Sequence, residues 1–125
     1  MAHYAFLDSK NVVTEVIVGK DENEGGIDWE QYYGAIRNQT CKRTSYNTFG
    51  NVHKEGGIAF RKNYASIGMT YSEEHDGFYS EQPYSSWILN TSNLFWEAPT
   101  LKPNDGKFYA WSEDTTQWIE VDEAY

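Results

Sequence analysis

The feature that most limits the fold of this chain is the brevity of its apolar runs. Between Arg43 and Asn90, β-branched and aromatic residues come in twos and threes, and Gly, Asn, Asp and Pro separate them. The runs are Thr44, Tyr46 and Thr48; Ile58 and Phe60; Met69 and Tyr71; Phe78 and Tyr79; and Trp87, Ile88 and Leu89. Short strands joined by tight turns are written this way. No stretch there reaches helix length with a 3.6-residue period, so the centre of the chain predicts a compact antiparallel β core.

The opening MAHYAFLDSKNVVTEVIV predicts a hairpin turning at Ser9-Lys10-Asn11. Strict alternation sets Val12, Val16 and Val18 on one face of its second arm and Val13 and Ile17 on the other, with both faces partly covered. GKDENEGG, residues 19–26, is a loop by composition. One helix is expected, at about residues 28–36. Asp28 can cap it, Ile27, Gln31, Tyr32, Ala35 and Ile36 fall near one stripe, and Gly34 limits it to two or three turns.

Large apolar residues seven apart recur around polar turns: Phe6 and Val13, Tyr71 and Phe78, Ile88 and Phe95, Trp111 and Trp118. They predict four hairpins with cross-strand pairs. Pro99, Pro103 and Asp105-Gly106 make residues 97–107 an extended connector. The expected fold is mainly β, an antiparallel hairpin sandwich or meander with one short helix, as a single β-rich domain over residues 1–125.

Five Trp, ten Tyr and six Phe supply most of the apolar area, each ring burying about 150 to 250 Å². Trp87, Trp96, Trp111 and Trp118 serve either as cross-strand core pairs or as an exposed stacking face for a protein or a glycan.

The net charge of −9 is unevenly spread. Residues 37–62 hold Arg37, Lys42, Arg43, Lys54, Arg61 and Lys62 against the single acid Glu55, and the flanks on both sides are acidic. Either these cations pair with the chain's own carboxylates, or the basic middle, with Arg61 and Lys62 as candidate docking residues, meets an acidic surface of a partner. An acidic chain repels a phosphate backbone, so direct nucleic-acid binding is not expected. No apolar run approaches the 18 residues of a membrane span.

Catalytic and metal signatures are missing. His3, His53 and His75 stand apart from other ligand types. Cys41 beside Lys42 and Arg43 has neighbours that lower a thiol pKa, and His53 is a conceivable base, but its alternating β context suits a small buried hydrophobe. Gly25-Gly26 and Gly56-Gly57 read as turns rather than phosphate cradles. No cofactor, metal or catalytic residue is expected, and the chain reads as non-enzymatic. A lone cysteine and a start without a signal-peptide pattern point to synthesis in a cytoplasm.

At MAHYAFLDSKNVVTEVIV, RTSYNTFG (43–50), FRKNYASIGMTY (60–71), PYSSWILN (83–90) and DGKFYAWSEDTTQWIEV (105–121), the chain resembles small virion-associated proteins of bacteriophages that infect cyanobacteria and other marine bacteria. The resemblance covers nearly the whole chain except residues 19–38. It implies a virion location after synthesis in the host bacterial cytoplasm, as a capsid decoration or tail accessory subunit. The partners it implies are other virion proteins of capsid or tail, with self-association as a further candidate; the tryptophan-rich C-terminal hairpins add a host-surface glycan as the alternative. It carries over no activity and no site residues.

Overall fold

The computed structural model describes residues 2–122. They divide into two compact units. One holds the chain up to Glu81 together with Thr91–Phe95; the other holds Gln82–Asn90 and the chain from Trp96 onward.

The first unit is organised on its N-terminal strand. β1 (Ala2–Leu7) lies between β2 (Val13–Gly19) and β3 (Thr40–Thr44), antiparallel to both. Its residues alternate between two cores, as the pleat requires. Ala5 and Leu7 join Val13, Ala65, Tyr71 and Phe78 on one face; Tyr4 and Phe6 join Cys41 on the other. A central strand buried on both faces needs an apolar run rather than an alternating one, which AHYAFL provides.

The hairpin register departs from strict alternation. Leu7 faces Val13 but Phe6 faces Glu15, so one extra residue bulges on β2. A bulge reverses the parity of what lies beyond it. Val13 therefore packs on the same side as Val16, and Ile17 on the side of Tyr4 and Phe6, which corrects the expected grouping of Val13 with Ile17. The turn itself is tied by Asp8, whose Oδ1 accepts the N–H groups of Lys10 at 2.8 Å and Val12 at 3.0 Å.

The helix α1 (Trp29–Arg37) starts where expected, with Asp28 Oδ1 accepting the Gln31 N–H at 3.2 Å. Its inward stripe is not the expected one. Trp29 and Tyr33, four residues apart, pack against Tyr4 and Phe6, whereas Ile27, Tyr32 and Ile36 are exposed. The two rings bury more area than the isoleucines and so decide the face. Nor does Gly34 end the helix: a Cβ there would lie 2.7 Å from the Gln39 carbonyl oxygen, so Gly34 permits close approach, and Asn38, left-handed at φ 53°, terminates it.

Residues 43–90 are thinner in strand than expected. Between the end of β3 and Trp87 they contribute β4 (Thr48–Phe49), β5 (Val52–His53), β6 (Thr70–Ser72) and β7 (Gly77–Tyr79), with no strand at Ile58 and Phe60. This irregular region hangs on buried polar side chains. Thr44 Oγ1 accepts the Ala65 N–H at 2.8 Å, and Thr48 Oγ1 accepts the Phe60 N–H at 3.1 Å. Asn63 accepts the Gly50 N–H at 2.7 Å and donates to the carbonyls of Phe78 at 3.0 Å and Asn93 at 2.9 Å.

The later chain adds β8 (Ile88–Asn90) paired with β9 (Phe95–Glu97), and β10 (Phe108–Ser112) paired with β11 (Gln117–Val121). The β6–β7, β8–β9 and β10–β11 hairpins share one plan. Each has a four-residue turn whose last residue is left-handed: Asp76 at φ 47°, Leu94 at 56° and Thr116 at 50°. Tyr71 faces Phe78 and Trp111 faces Trp118, as the seven-residue spacing predicts. In the β8–β9 hairpin the equivalent positions, counted from the turn, are Leu89 and Trp96 rather than Ile88 and Phe95, and Ile88 is exposed. The protein is thus mainly β, built of small antiparallel sheets and one helix.

Candidate functional site

Arg61 is not an outward docking cation. Its backbone and that of Lys62 are both left-handed, at φ 51° and 68°. The guanidinium turns inward, where Nη1 donates to Glu30 Oε2 at 2.6 Å and to the Arg43 carbonyl at 2.9 Å, and Nε donates to Asp76 Oδ1 at 3.0 Å. Only 12% of the side chain is exposed, and its carbon lies over the Phe60 ring. A planar fork with several donors suits such a three-way clamp.

The other basic residues of the middle are largely spent as well. Arg37 pairs with Glu15, and Arg43 with Glu22 at 2.9 Å. Lys42 lies over the Tyr71 ring and Lys54 over the Tyr46 ring. The three arginines of the basic middle are therefore matched by acids of the N-terminal third, within the first unit. Lys62 is half-buried with its stem against Gly77, where a Cβ would come within 2.4 Å of Lys62 Cγ. Among the described residues its ammonium has no ion-pair partner.

Around the clamp the ionisable groups are tuned by one another. Burial works against the Asp76 charge, yet the Tyr71 hydroxyl, donating at 2.5 Å, and Arg61 hold that carboxyl below its usual range. Burial, then the bond to Asp76, pushes Tyr71 up to about 12. A cleft of about 190 Å³ opens beside the clamp, walled by Glu22, Asp28, Trp29, Glu30, Arg43 and Arg61. A shallower groove of about 450 Å³ runs between α1 and β3 and includes Cys41. Burial, followed by the charge of Glu30, pushes the Cys41 thiol up to about 12. It is a neutral thiol at physiological pH, the reverse of an activated nucleophile.

In the second unit the structure brings together three of the four predicted tryptophans. Trp111 and Trp118 face each other across β10–β11 with ring centroids 5.2 Å apart at 70°. Trp87 meets Trp111 at 5.9 Å and 83°, and Trp118 at 6.1 Å and 57°. These edge-to-face and tilted contacts turn the rings toward one another, so the trio forms a half-buried aromatic cluster in a unit that has few aliphatic residues. Tyr84 extends it, 5.4 Å from Trp87. Trp96 sits half-buried on β9.

Glu113, which begins the last turn, anchors the trio. It accepts from Ser85 Oγ at 2.9 Å, from Ser86 N at 3.1 Å and Oγ at 2.6 Å, and from Trp111 Nε1 at 2.8 Å. Ser86 first, then Trp111, hold its carboxyl down to about 2. Trp118 Nε1 donates to the Thr100 carbonyl at 2.8 Å, which drapes the proline-rich connector over its hairpin. Trp87 Nε1 is buried without a partner among the described residues.

Glu30, Asn63 and Glu113 carry much of this architecture, and none stands out in the sequence. Each is a lone polar residue whose role comes from partners far along the chain. No family model matches the chain, no curated protein matches it, and no solved structure matches its fold.

Proposed function

We propose that the protein is a non-enzymatic bacteriophage virion subunit, a capsid decoration or tail accessory protein that holds its partner through apolar and aromatic surface. The observation that carries this reading is the placement of large apolar side chains on turns and short strands, where water surrounds them. In the first unit Ile58 is 92% exposed, and Phe49 and Val52, register partners on β4 and β5, are 73% and 64% exposed. In the second, Leu101 is 91% exposed. Of these, Phe49 and Val52 lie side by side on paired strands, and adjacent exposed apolar side chains of that kind suit an interaction surface. Internal pairing of the arginines leaves apolar contact, rather than a basic patch, as the means of attachment.

The resemblance to marine phage proteins supplies the class of partner, and a symmetric particle supplies a reason for modest single contacts, since copy number multiplies them. Mass spectrometry of purified particles of the encoding phage tests the reading. Recovery of this chain at a fixed multiple of a capsid or tail protein is the expected result; its absence from particles overturns the proposal. A glycan-binding role for Trp87, Trp96, Trp111 and Trp118 has less support, because Trp111 and Trp118 spend their indole N–H groups on Glu113 and Thr100.

A further inference from the structure

The three-stranded sheet has one guarded edge and one open edge. On β3 the outward backbone at Arg43 is taken: its N–H donates to Glu30 at 2.5 Å and its carbonyl accepts from Arg61 at 2.9 Å. Arg43 thus points its peptide groups away from β1, and its register partner Tyr4 points its own toward β2. Tyr4 and Phe6 then exchange hydrogen bonds with Ile17 and Glu15, which fixes the N–H and C=O groups of Val16 and Val18 on the outer side of β2.

The start of that outer edge is occupied, since Val13 donates to the Met69 carbonyl at 2.8 Å and accepts from the Gly68 N–H at 2.9 Å. Beyond it, no described residue pairs with Val16 or Val18 on that side. Val18 is 54% exposed. The usual guards of a bare edge, a proline or a lysine, do not occur in Val16-Ile17-Val18.

We propose that β2 pairs antiparallel with β2 of a second copy of this chain, about a twofold axis passing through Ile17. In that register Val16 faces the second copy's Val18 and the reverse, so all four outward peptide groups on each strand find partners. Glu15 faces a glycine, Gly19, and Thr14 faces Lys20, so no like charges meet. The adjoining registers fail. Centring on Val16 sets Val18 against Thr14, the extra residue of the bulge. Centring on Val18 sets Val16 against Lys20, whose N–H is given to the Tyr33 hydroxyl at 3.0 Å and whose carbonyl accepts from Tyr4 at 2.7 Å. The edge is complementary to itself, which is the property an isologous contact requires.

This inference stands apart from the virion reading and concerns the isolated full chain. Sedimentation equilibrium across the micromolar to millimolar range, with amide hydrogen exchange on the same samples, tests it. A concentration-dependent dimer is expected, with the Val16 and Val18 amides slowing as it forms. Val18→Pro, which removes an N–H that its own subunit does not use, and Val18→Lys return the chain to monomer with an unchanged far-ultraviolet spectrum, whereas Val18→Thr keeps the dimer. A chain monomeric throughout overturns the proposal, as does a dimer in which those two amides exchange freely. A dimer that survives Val18→Pro overturns it too; should that variant not fold, Val18→Lys and the wild-type exchange decide.

Discussion

Arg61 and Glu30, thirty-one residues apart, meet through a 2.6 Å bond from Nη1 to Oε2, and the same carboxylate oxygen also accepts the Arg43 N–H. Helix α1, strand β3 and the irregular segment before β6 are thereby joined at one atom. Removing one member of this half-buried pair leaves the other without its partner, which costs about 1 to 3 kcal/mol. Arg61→Met is therefore expected to lower the urea midpoint strongly. Asp76→Asn, which keeps a side-chain oxygen for Arg61 and Tyr71 on the more exposed branch of the clamp, is expected to cost about 1 kcal/mol or less. Equal losses from the two would show that Glu30 is not the principal partner.

Acid should loosen the second unit through Glu113. Its carboxyl is held down to about 2 in the folded chain, below its ordinary value of 4.5. A depressed carboxyl contributes stability that is present above the unfolded value and is lost as pH falls through the folded one. The expected window is therefore between about pH 4.5 and 2. Tryptophan emission followed through that window should shift as the Trp111 contact is released. Glu113→Gln should abolish the acid-dependent part of the shift while the transition at neutral pH persists.

The three clustered tryptophans make a graded set. Replacing each with Phe removes similar apolar volume, but only Trp111→Phe and Trp118→Phe also break an indole hydrogen bond. Loss of that bond adds to the cost of the lost packing. Trp87→Phe instead removes a donor that has no partner, so it should be the mildest of the three in equilibrium unfolding. A Trp87→Phe loss as large as the other two would mean that its N–H is satisfied.

The common turn predicts opposite signs at equivalent positions. Thr116 is β-branched and exposed at φ 50°, a conformation that asparagine tolerates better. Thr116→Asn is expected to raise stability by about 1 kcal/mol, read as a Tm increase of a few degrees. Leu94 occupies the same turn position at φ 56° but is buried. Leu94→Asn should destabilise, because lost burial outweighs relief of backbone strain.

Much of the β architecture was legible in the sequence because its signals are local. The spacing of Tyr71 and Phe78, and of Trp111 and Trp118, carries their pairing, and Asp28 marks the start of the helix. What escaped was set by partners distant in the chain. The bulge after Val13 has no glycine or proline to announce it, and left-handed turn residues here are Asp, Leu and Thr rather than Gly. The inward helix face went to Trp29 and Tyr33 because the apolar surface of Tyr4 and Phe6 was waiting there. Arg61 looked like surface charge because its acids, Glu30 and Asp76, lie thirty-one residues before it and fifteen after.

Asn63 bonds to Gly50, Phe78 and Asn93 at once, so its side chain is satisfied only when segments thirteen, fifteen and thirty residues away have all arrived. None of those bonds rewards the chain before the corresponding loops close, and loop closure is an entropic debt that precedes any contact. One side chain therefore couples three loops, and the closure cost of each is offset only when its own bond to Asn63 is made.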